Sequence, residues 1–400
     1  LAEFSQFDAF LNILLVVIAI TLITRRLRFP YTIGLILAGL FAATYPRIPL
    51  PDLSPQVFVS ILLPPILFEA ALKLDVEGLT REVDVVFSYS ILGTLLMLAA
   101  VSFFAFYALD FAPIEALLLG IIVSPTDPIA VLSAFKERRV NSEFKLIVEG
   151  EALFNDGVAV VAYSLALTLL ANGSITGFEF GSIALISIVG GVAFGIAGGY
   201  LVHFLIERTD DKFVELLLCF FLSFGIYRLA DEFGASGVIA TIVAGLIINY
   251  RINKYGGLID STYEDYVVFW DFIGFVASSI AFIFIGLNLL PELLASHMLP
   301  ITALTLFILA ARYLKVHGLA ALMGRLSEKA IPWDWRMGLW WTGLRGAVSV
   351  VLALSISGLG LLHGEEIKAL TFGIVLATNV IWGLTIPYAM KRYHLTVDEP

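Results

Sequence analysis

The chain has one cysteine in 400 residues, five histidines, and charge on only 14% of its positions. A lone cysteine, Cys219, excludes an intramolecular disulfide, a Cys-based metal site and a thiol redox couple. Set in the apolar run "LLLCFFLSF", it reads as a small packing residue. His203, His297, His317, His363 and His394 fall on separate segments with no pair at metal-ligand spacing, which argues against a zinc or iron site. There is no GxxxxGK[ST] loop and hence no visible coupling to ATP. The net charge of −10 implies no nucleic-acid partner. Hydrophobic residues, by contrast, make up 59% of the chain, in runs of helical length that recur from end to end. This composition predicts one integral, polytopic all-α membrane domain over 1–400, with no soluble domain.

With a spanning window of about 20 residues, about thirteen helices are expected, near 9–24, 29–45, 57–72, 84–109, 111–135, 142–171, 179–206, 213–230, 234–250, 266–290, 299–324, 336–357 and 366–390. The runs are continuous rather than alternating in period two, and lipid forbids open sheet edges, so the spans are helices and not barrel strands. The first run, "AFLNILLVVIAITLIT", has no basic stretch before it and "RRLR" after it, the reverse of a secretory signal. It reads as a retained helix that begins outside. On that assignment 18 of the 24 Lys and Arg fall on the inner side, while Arg47, Arg228 and Lys368 fall outside and Arg312, Lys315 and Arg345 within spans. The bias predicts an outer N-terminus and a cytoplasmic C-terminus; the expected location is the cell membrane.

Two internal echoes bear on architecture. "YTIGLILAGLFAA" resembles "SGVIATIVAGLII", and "ILLPPILFEAALKLD" resembles "SSIAFIFIGLNLL". A displacement of seven helices, an odd number, turns the second copy upside down. The expectation is two inverted six-helix repeats linked by the helix at 179–207, which is transporter architecture. Within that linker, "GGVAFGIAGG" offers small residues for close helix contact.

Several polar residues stand inside predicted spans. In "SPTDPIAV", Pro125 and Pro128 each remove a backbone donor, so the helix should break there. Asp127 before Pro128 has the form of an N-cap on a restarted half-helix. Such a break leaves carbonyls and N–H groups unpaired at bilayer depth, tolerable only where they line a cavity. In "EGEALFNDGVAVV", Glu151 and Asn155 share a helix face, with Asp156 about 100° round. A carboxylate at that depth costs at least about 2.5 kcal/mol and calls for a partner. Arg312 and Arg345 are available to Glu151, and Glu69 competes for one of them, which leaves Asp127 and Asp156 without a permanent cation. Arg345 lies in "TGLRGAVSVV", where Gly343 and Gly346 allow local unwinding. A second broken helix there would set its ends against those of the first, with Arg345 offsetting carbonyl ends and Asp127 the N–H end. Lys315 receives no role.

Taken in order, "LLPPILFEAAL", "SPTDP", "EGEALFNDGVAVV", "AARYLKV" and "GLRGAVS" resemble the monovalent cation/proton antiporter-1 family, of the NhaP and eukaryotic sodium/proton exchanger type. The resemblance spans nearly the whole chain. It implies a homodimer in lipid, each protomer having an interface part (1–80 and 213–295) and a core part (84–172 and 299–393) that slides past it like an elevator. It further implies that Asp156 takes a cation or a proton in turn, that Asp127 and Thr126 complete the sodium site, and that Asn155 is the paired polar residue. Glu151 with Arg312, and Glu69 with Arg345, match the family's structural ion pairs. An Asn before Asp156 implies electroneutral one-for-one exchange. No cofactor is implied, only transported sodium and proton. Family members often carry Ser where this chain has Ala152, four residues before Asp156, so one candidate ion ligand is missing.

The expected function is therefore secondary antiport of sodium or lithium against protons, not enzymatic catalysis. A potassium/proton antiporter is the nearest rival, since a larger ion could suit Ala152. A cation channel would also explain buried charge, but no repeated filter motif is present. An intramembrane aspartyl protease could use Asp127 and Asp156 as a carboxylate pair, but the number of spans and the "TDP" and "ND" settings do not fit one.

Overall fold

A computed structural model describes residues 2–27, 29–44, 55–127, 131–132, 135, 140–174, 176–209, 211–255, 260–289, 291–326 and 329–396. The long elements are helices: α1 (Ala2–Leu27), α2 (Tyr31–Thr44), α3 (Pro55–Lys73), α4 (Val83–Ala108), α5 (Pro113–Val123), α6 (Ser142–Asn172) and α7 (Gly177–Ile206). They continue as α8 (Lys212–Glu232), α9 (Gly237–Tyr255), α10 (Asp260–Asn288), α11 (Met298–Leu326), α12 (Trp333–Trp341), α13 (Ala347–Ser355) and α14 (Gly364–Arg392). Among the described residues, eight of these are long and apolar enough to cross a membrane, and α2, α5 and Gly237–Ile252 are apolar but shorter. Among them too, the only β pairing is an isolated bridge between Val140 and Thr396.

Local sequence explains where the helices start and stop. Asp211 caps α8 by accepting from the N–H groups of Phe213 and Val214, at 2.8 and 3.3 Å. Thr176 and Glu179 form a reciprocal capping box on α7. Gly173, at φ 72°, closes α6 in the left-handed conformation that glycine adopts without a Cβ clash. Pro113 opens α5 at a position that needs no N–H. α4 and α14 each contain a π turn, at Ser88–Leu92 and Asn379–Gly383.

The chain divides into two compact units. The first comprises 1–55, 84–155 and 279–400, and the second 56–83 and 156–278. In the first unit α4 packs on α5, and α11 packs on α4 and α14. α5 and α13, whose residues Leu118, Leu119, Ile122, Val350 and Val351 are fully buried, lie at its centre. In the second unit α7, α8 and α9 pack together around Phe68, Cys219, Ala240, Ala244 and Trp270. Gly191, Gly195 and Gly199 bring α7 against the backbone of α9, the close contact expected of the small-residue run. Cys219 is buried in that apolar cluster as a packing residue.

The two internal echoes reappear as two equivalent helix crossings. In the first unit Gly39 of α2 lies against Gly286 of α10, with no room for a side chain on either. In the second, Gly245 of α9 lies against Ala71 and the Phe68 carbonyl of α3. "ILAGL" in α2 corresponds to "IVAGL" in α9, so each repeat's small residue meets the other repeat's helix. Inverted repeats predict this reciprocity.

Candidate functional site

Two interrupted helices meet in the first unit. α5 ends at Val123, and the Ser124 hydroxyl turns back to donate to the Ile121 carbonyl at 3.0 Å. Residues 124–127 are not helical. Pro125 supplies the reason: it has no N–H to continue the ladder, so the helical bonding stops although Ser124 itself keeps helical backbone angles. The second interruption, at 343–346 between α12 and α13, is flanked by Gly343 and Gly346. Pro128, and with it the expected restart of the first helix, lies outside the described residues, as do Arg28, Arg47, Lys136, Arg138 and Arg139 of the charge argument.

The backbones of the two breaks are joined. The Asp127 N–H donates to the Leu344 carbonyl at 2.8 Å. In return the Ala347 N–H, first in α13, donates to Asp127 Oδ2 at 3.4 Å. A side chain on Gly346 would occupy the space of the Asp127 carboxylate, so only glycine permits this approach. Asp127 thus places its negative charge at the N-terminus of the opposing half-helix, where unpaired N–H groups and the helix dipole favour it. The neighbouring Thr126 is gripped at two points by Asn155 of α6. Asn155 Nδ2 donates to Thr126 Oγ1 at 2.8 Å, and Asn155 Oδ1 accepts from the Thr126 N–H at 3.4 Å. Asp156 follows on α6, rotated about 100°, and is half-buried at the first position of the second unit.

Glu151, one turn before Asn155, is 2% exposed and carries two cations. Arg312 Nη1 and Nη2 donate to its two oxygens at 3.1 and 3.4 Å, and Lys315 Nζ donates to Oε1 at 2.6 Å. The same guanidinium also meets the last carbonyls of α12: Nη2 donates to Leu339 O at 2.7 Å and Nε to Trp340 O at 3.3 Å. The carbonyl end of the second broken helix, expected to fall to Arg345, is thereby held chiefly by Arg312. Arg345 itself is fully buried, and its Nη1 donates to Gly343 O at 3.0 Å. Its Nε and Nη2 have no hydrogen-bond partner among the described residues.

The backbone of Arg345 is secured by α14. Its N–H donates to Thr378 Oγ1 at 3.3 Å, and its carbonyl accepts from Asn379 Nδ2 at 2.8 Å. Glu69 lies in the second unit, where Lys73 donates both to it and to Asp271. Glu69 and Arg345 therefore belong to different units, each with bonds inside its own. Ala152 is buried and offers no side-chain oxygen.

Sequence reading missed Lys315, Thr378 and Asn379. Lys315 could have been found as the residue one helical turn after Arg312, on the same face. Thr378 and Asn379 could have been found as a polar pair in the apolar run "GIVLATNVIWG". Among the described residues no cluster of three His, Cys, Asp or Glu could hold a resident metal ion.

Comparison with known proteins gives a consistent result. The family model described as "Sodium/hydrogen exchanger, transmembrane" matches residues 13–392. The Na(+)/H(+) antiporter ApNhaP of Aphanothece halophytica is 33% identical over 400 residues, covering 99% of this chain and 76% of that protein. The Na(+)/H(+) antiporter NhaH of Halobacillus dabanensis is 31% identical, covering 96% of this chain and 98% of its own length. In fold, the chain resembles the solved structure of the sodium proton antiporter MjNhaP1 from Methanocaldococcus jannaschii at pH 8, with a TM-score of 0.77, 20% identity and 98% of each chain covered.

Proposed function

The chain belongs to the sodium/hydrogen exchanger family, and on that footing we propose that it is a secondary antiporter exchanging sodium, or lithium, for protons. The observation that carries the reading is the meeting of two broken helices at Asp127, with Thr126 held by Asn155 and Asp156 next along α6. Hard monovalent cations are bound by oxygen, and carboxylate, hydroxyl and freed backbone carbonyls are all within these segments. Asp156 takes a cation or a proton, which compete for the same carboxylate oxygens, while Asp127 and Thr126 complete the cation's shell. If the moving part crosses only with Asp156 occupied, the two gradients are coupled without a further gate. The moving part is 84–172 and 299–393, and it slides against 1–80 and 213–295 in a homodimer, with 179–207 linking the two. Asn155, neutral beside Asp156, makes the exchange electroneutral and one-for-one. The work is transport without bond chemistry or a resident cofactor, across the cell membrane with the N-terminus outside.

A potassium/proton antiporter is the second reading, and Ala152 favours it: the position one turn before Asp156 withholds a ligand that would suit a smaller ion. The experiment is dissipation of an imposed pH gradient in proteoliposomes on addition of sodium, lithium or potassium, with wild type beside Asp156→Asn. Recovery with sodium or lithium, lost in the variant, is expected. Recovery with potassium alone selects the second reading, and sodium-driven recovery that survives in Asp156→Asn refutes the assigned role of that residue.

A further inference from the structure

The two breaks are held in the same way from the side. In the first repeat Asn155, 29 residues after Thr126, donates to that break from the next helix. In the second repeat Asn379, 34 residues after Arg345, donates to the other break from the next helix, again at 2.8 Å. Asn155 belongs to the proposed ion site, whereas the symmetric position has no assigned role. Asn379 is 1% exposed, opens the π turn of α14, and makes a further bond from Nδ2 to its own helix at Val375 O, 2.9 Å away. A π turn interrupts the regular helical bonding and occurs frequently at functional sites. Here it sets Asn379 against the unwound backbone rather than against another side chain.

The consequence follows from what that backbone does. Leu344 O accepts the Asp127 N–H, and Ala347 N–H donates to the Asp127 carboxylate, so 344–347 is the surface on which Asp127 is seated. An unwound segment has no ladder of its own to fix it. Thr378 and Asn379 satisfy both backbone groups of Arg345, the residue in the middle of that surface. The remaining atom of the amide, Asn379 Oδ1, accepts from Thr32 Oγ1 of α2 at 3.5 Å. α2 belongs to the part proposed to stay still and α14 to the part proposed to move, so on that reading this weaker bond links the two parts.

We propose that Asn379 is a positioning residue for the cation site: its amide fixes the register of 343–347 against Asp127 and, through Thr32, ties that register to the position of the core. The inference rests on the antiporter reading for its transport consequences and on geometry alone for its structural ones. It assigns no contact between Asn379 and the ion.

The test compares wild type, Asn379→Ala, Asn379→Asp and Thr32→Val in proteoliposomes, with initial rates against sodium and lithium at several pH values. Loss of one net hydrogen bond to a charged site's scaffold should raise KM for sodium about tenfold in Asn379→Ala, with kcat changed less and the preference between sodium and lithium altered. Asn379→Asp separates the donor from the volume. Its carboxyl can donate to the Arg345 carbonyl when protonated but repels it when ionised, so the ratio of its KM to that of wild type should climb with pH. Thr32→Val should leave KM nearly unchanged and alter kcat. A flat ratio across pH in Asn379→Asp, together with wild-type KM and ion preference in Asn379→Ala, overturns the proposal. Should Asn379→Ala fail to fold, Thr378→Val, which removes the acceptor of the Arg345 N–H together with that hydroxyl's bonds to its own helix at the Ile374 and Val375 carbonyls, carries the same KM expectation. Backbone hydrogen exchange over 343–347 needs no transport: it should quicken in Asn379→Ala, and unchanged exchange refutes the clamp whatever the flux. Absence of sodium-driven flux in wild type would instead count against the antiporter reading.

Discussion

At the end of α5 the interrupted chain carries Pro125, Thr126 and Asp127, whereas between α12 and α13 it carries Gly343, Leu344, Arg345 and Gly346. The first break is enforced, because proline withholds a donor. The second is permitted, because its flanking glycines allow the close approach that the crossing needs. Their charges are opposite as well. Asp127 sits on the N–H end of α13, and the carbonyl end of α12 is met by the Arg312 guanidinium, with Arg345 close behind. The same inverted repeat has thus produced one break that ends in a carboxylate and another on whose backbone that carboxylate is seated. An internally symmetric scaffold can bind one small ion off its symmetry axis because the two copies differ in which backbone end they leave open.

Experiments that break this comparison differ widely in expected size. Asp156→Asn removes the only carboxylate proposed to take both substrates, so sodium-driven proton flux in proteoliposomes should vanish. Gly346→Val drives a side chain into the space of the Asp127 carboxylate and forces the breaks apart; an ångström of misplacement costs on the order of 100-fold in rate, and a variant with wild-type exchange would refute the crossing. Glu151→Gln leaves Arg312 and Lys315 buried without their counter-charge, and should lower stability by about 3–5 kcal/mol, read as an earlier thermal transition of the purified protein. Lys315→Met keeps the Arg312 bonds and should cost less, about 1–3 kcal/mol; equal losses would mean that Lys315, not Arg312, is the principal partner.

The smallest change sharpens the comparison rather than breaking it. Ala152→Ser returns a hydroxyl one turn before Asp156, and should shift relative KM values toward sodium over potassium by a few-fold, within the about 1 kcal/mol that one net hydrogen bond supplies. Competition assays with both cations measure it directly. An unaltered ratio would show that the hydroxyl does not reach the ion.

Lipid makes part of this molecule unusually easy to read. A polar side chain or a proline within an apolar run is so costly there that each one marks a site or a break. For that reason "SPTDP", "EGEALFNDG" and "GLRGAVS" by themselves point to interrupted helices and buried ionic groups, and Cys219 and the glycine run of α7 read as packing residues. Lys315 was harder to read. At "ARYLKV" it could as well extend its stem to the membrane surface, and only the fold of α11 against α6 turns it onto Glu151. Asn379 had a similar ambiguity, since a single amide in a long helix can bond to its own backbone, as it also does at Val375.

By itself the sequence determined that the chain is a helical membrane protein, where α5 must stop, and which polar residues stand inside apolar spans, because solvation in lipid acts on each segment locally. Only the tertiary structure decided the partners: Asp127 on the first N–H of α13, Glu151 shared by Arg312 and Lys315, and Lys73 on Glu69. Those pairings join residues that, apart from Lys73 with Glu69, stand more than 150 positions apart. Charge sign and spacing leave several such pairings equally good, and helix packing selects among them by bringing one pair of faces into contact.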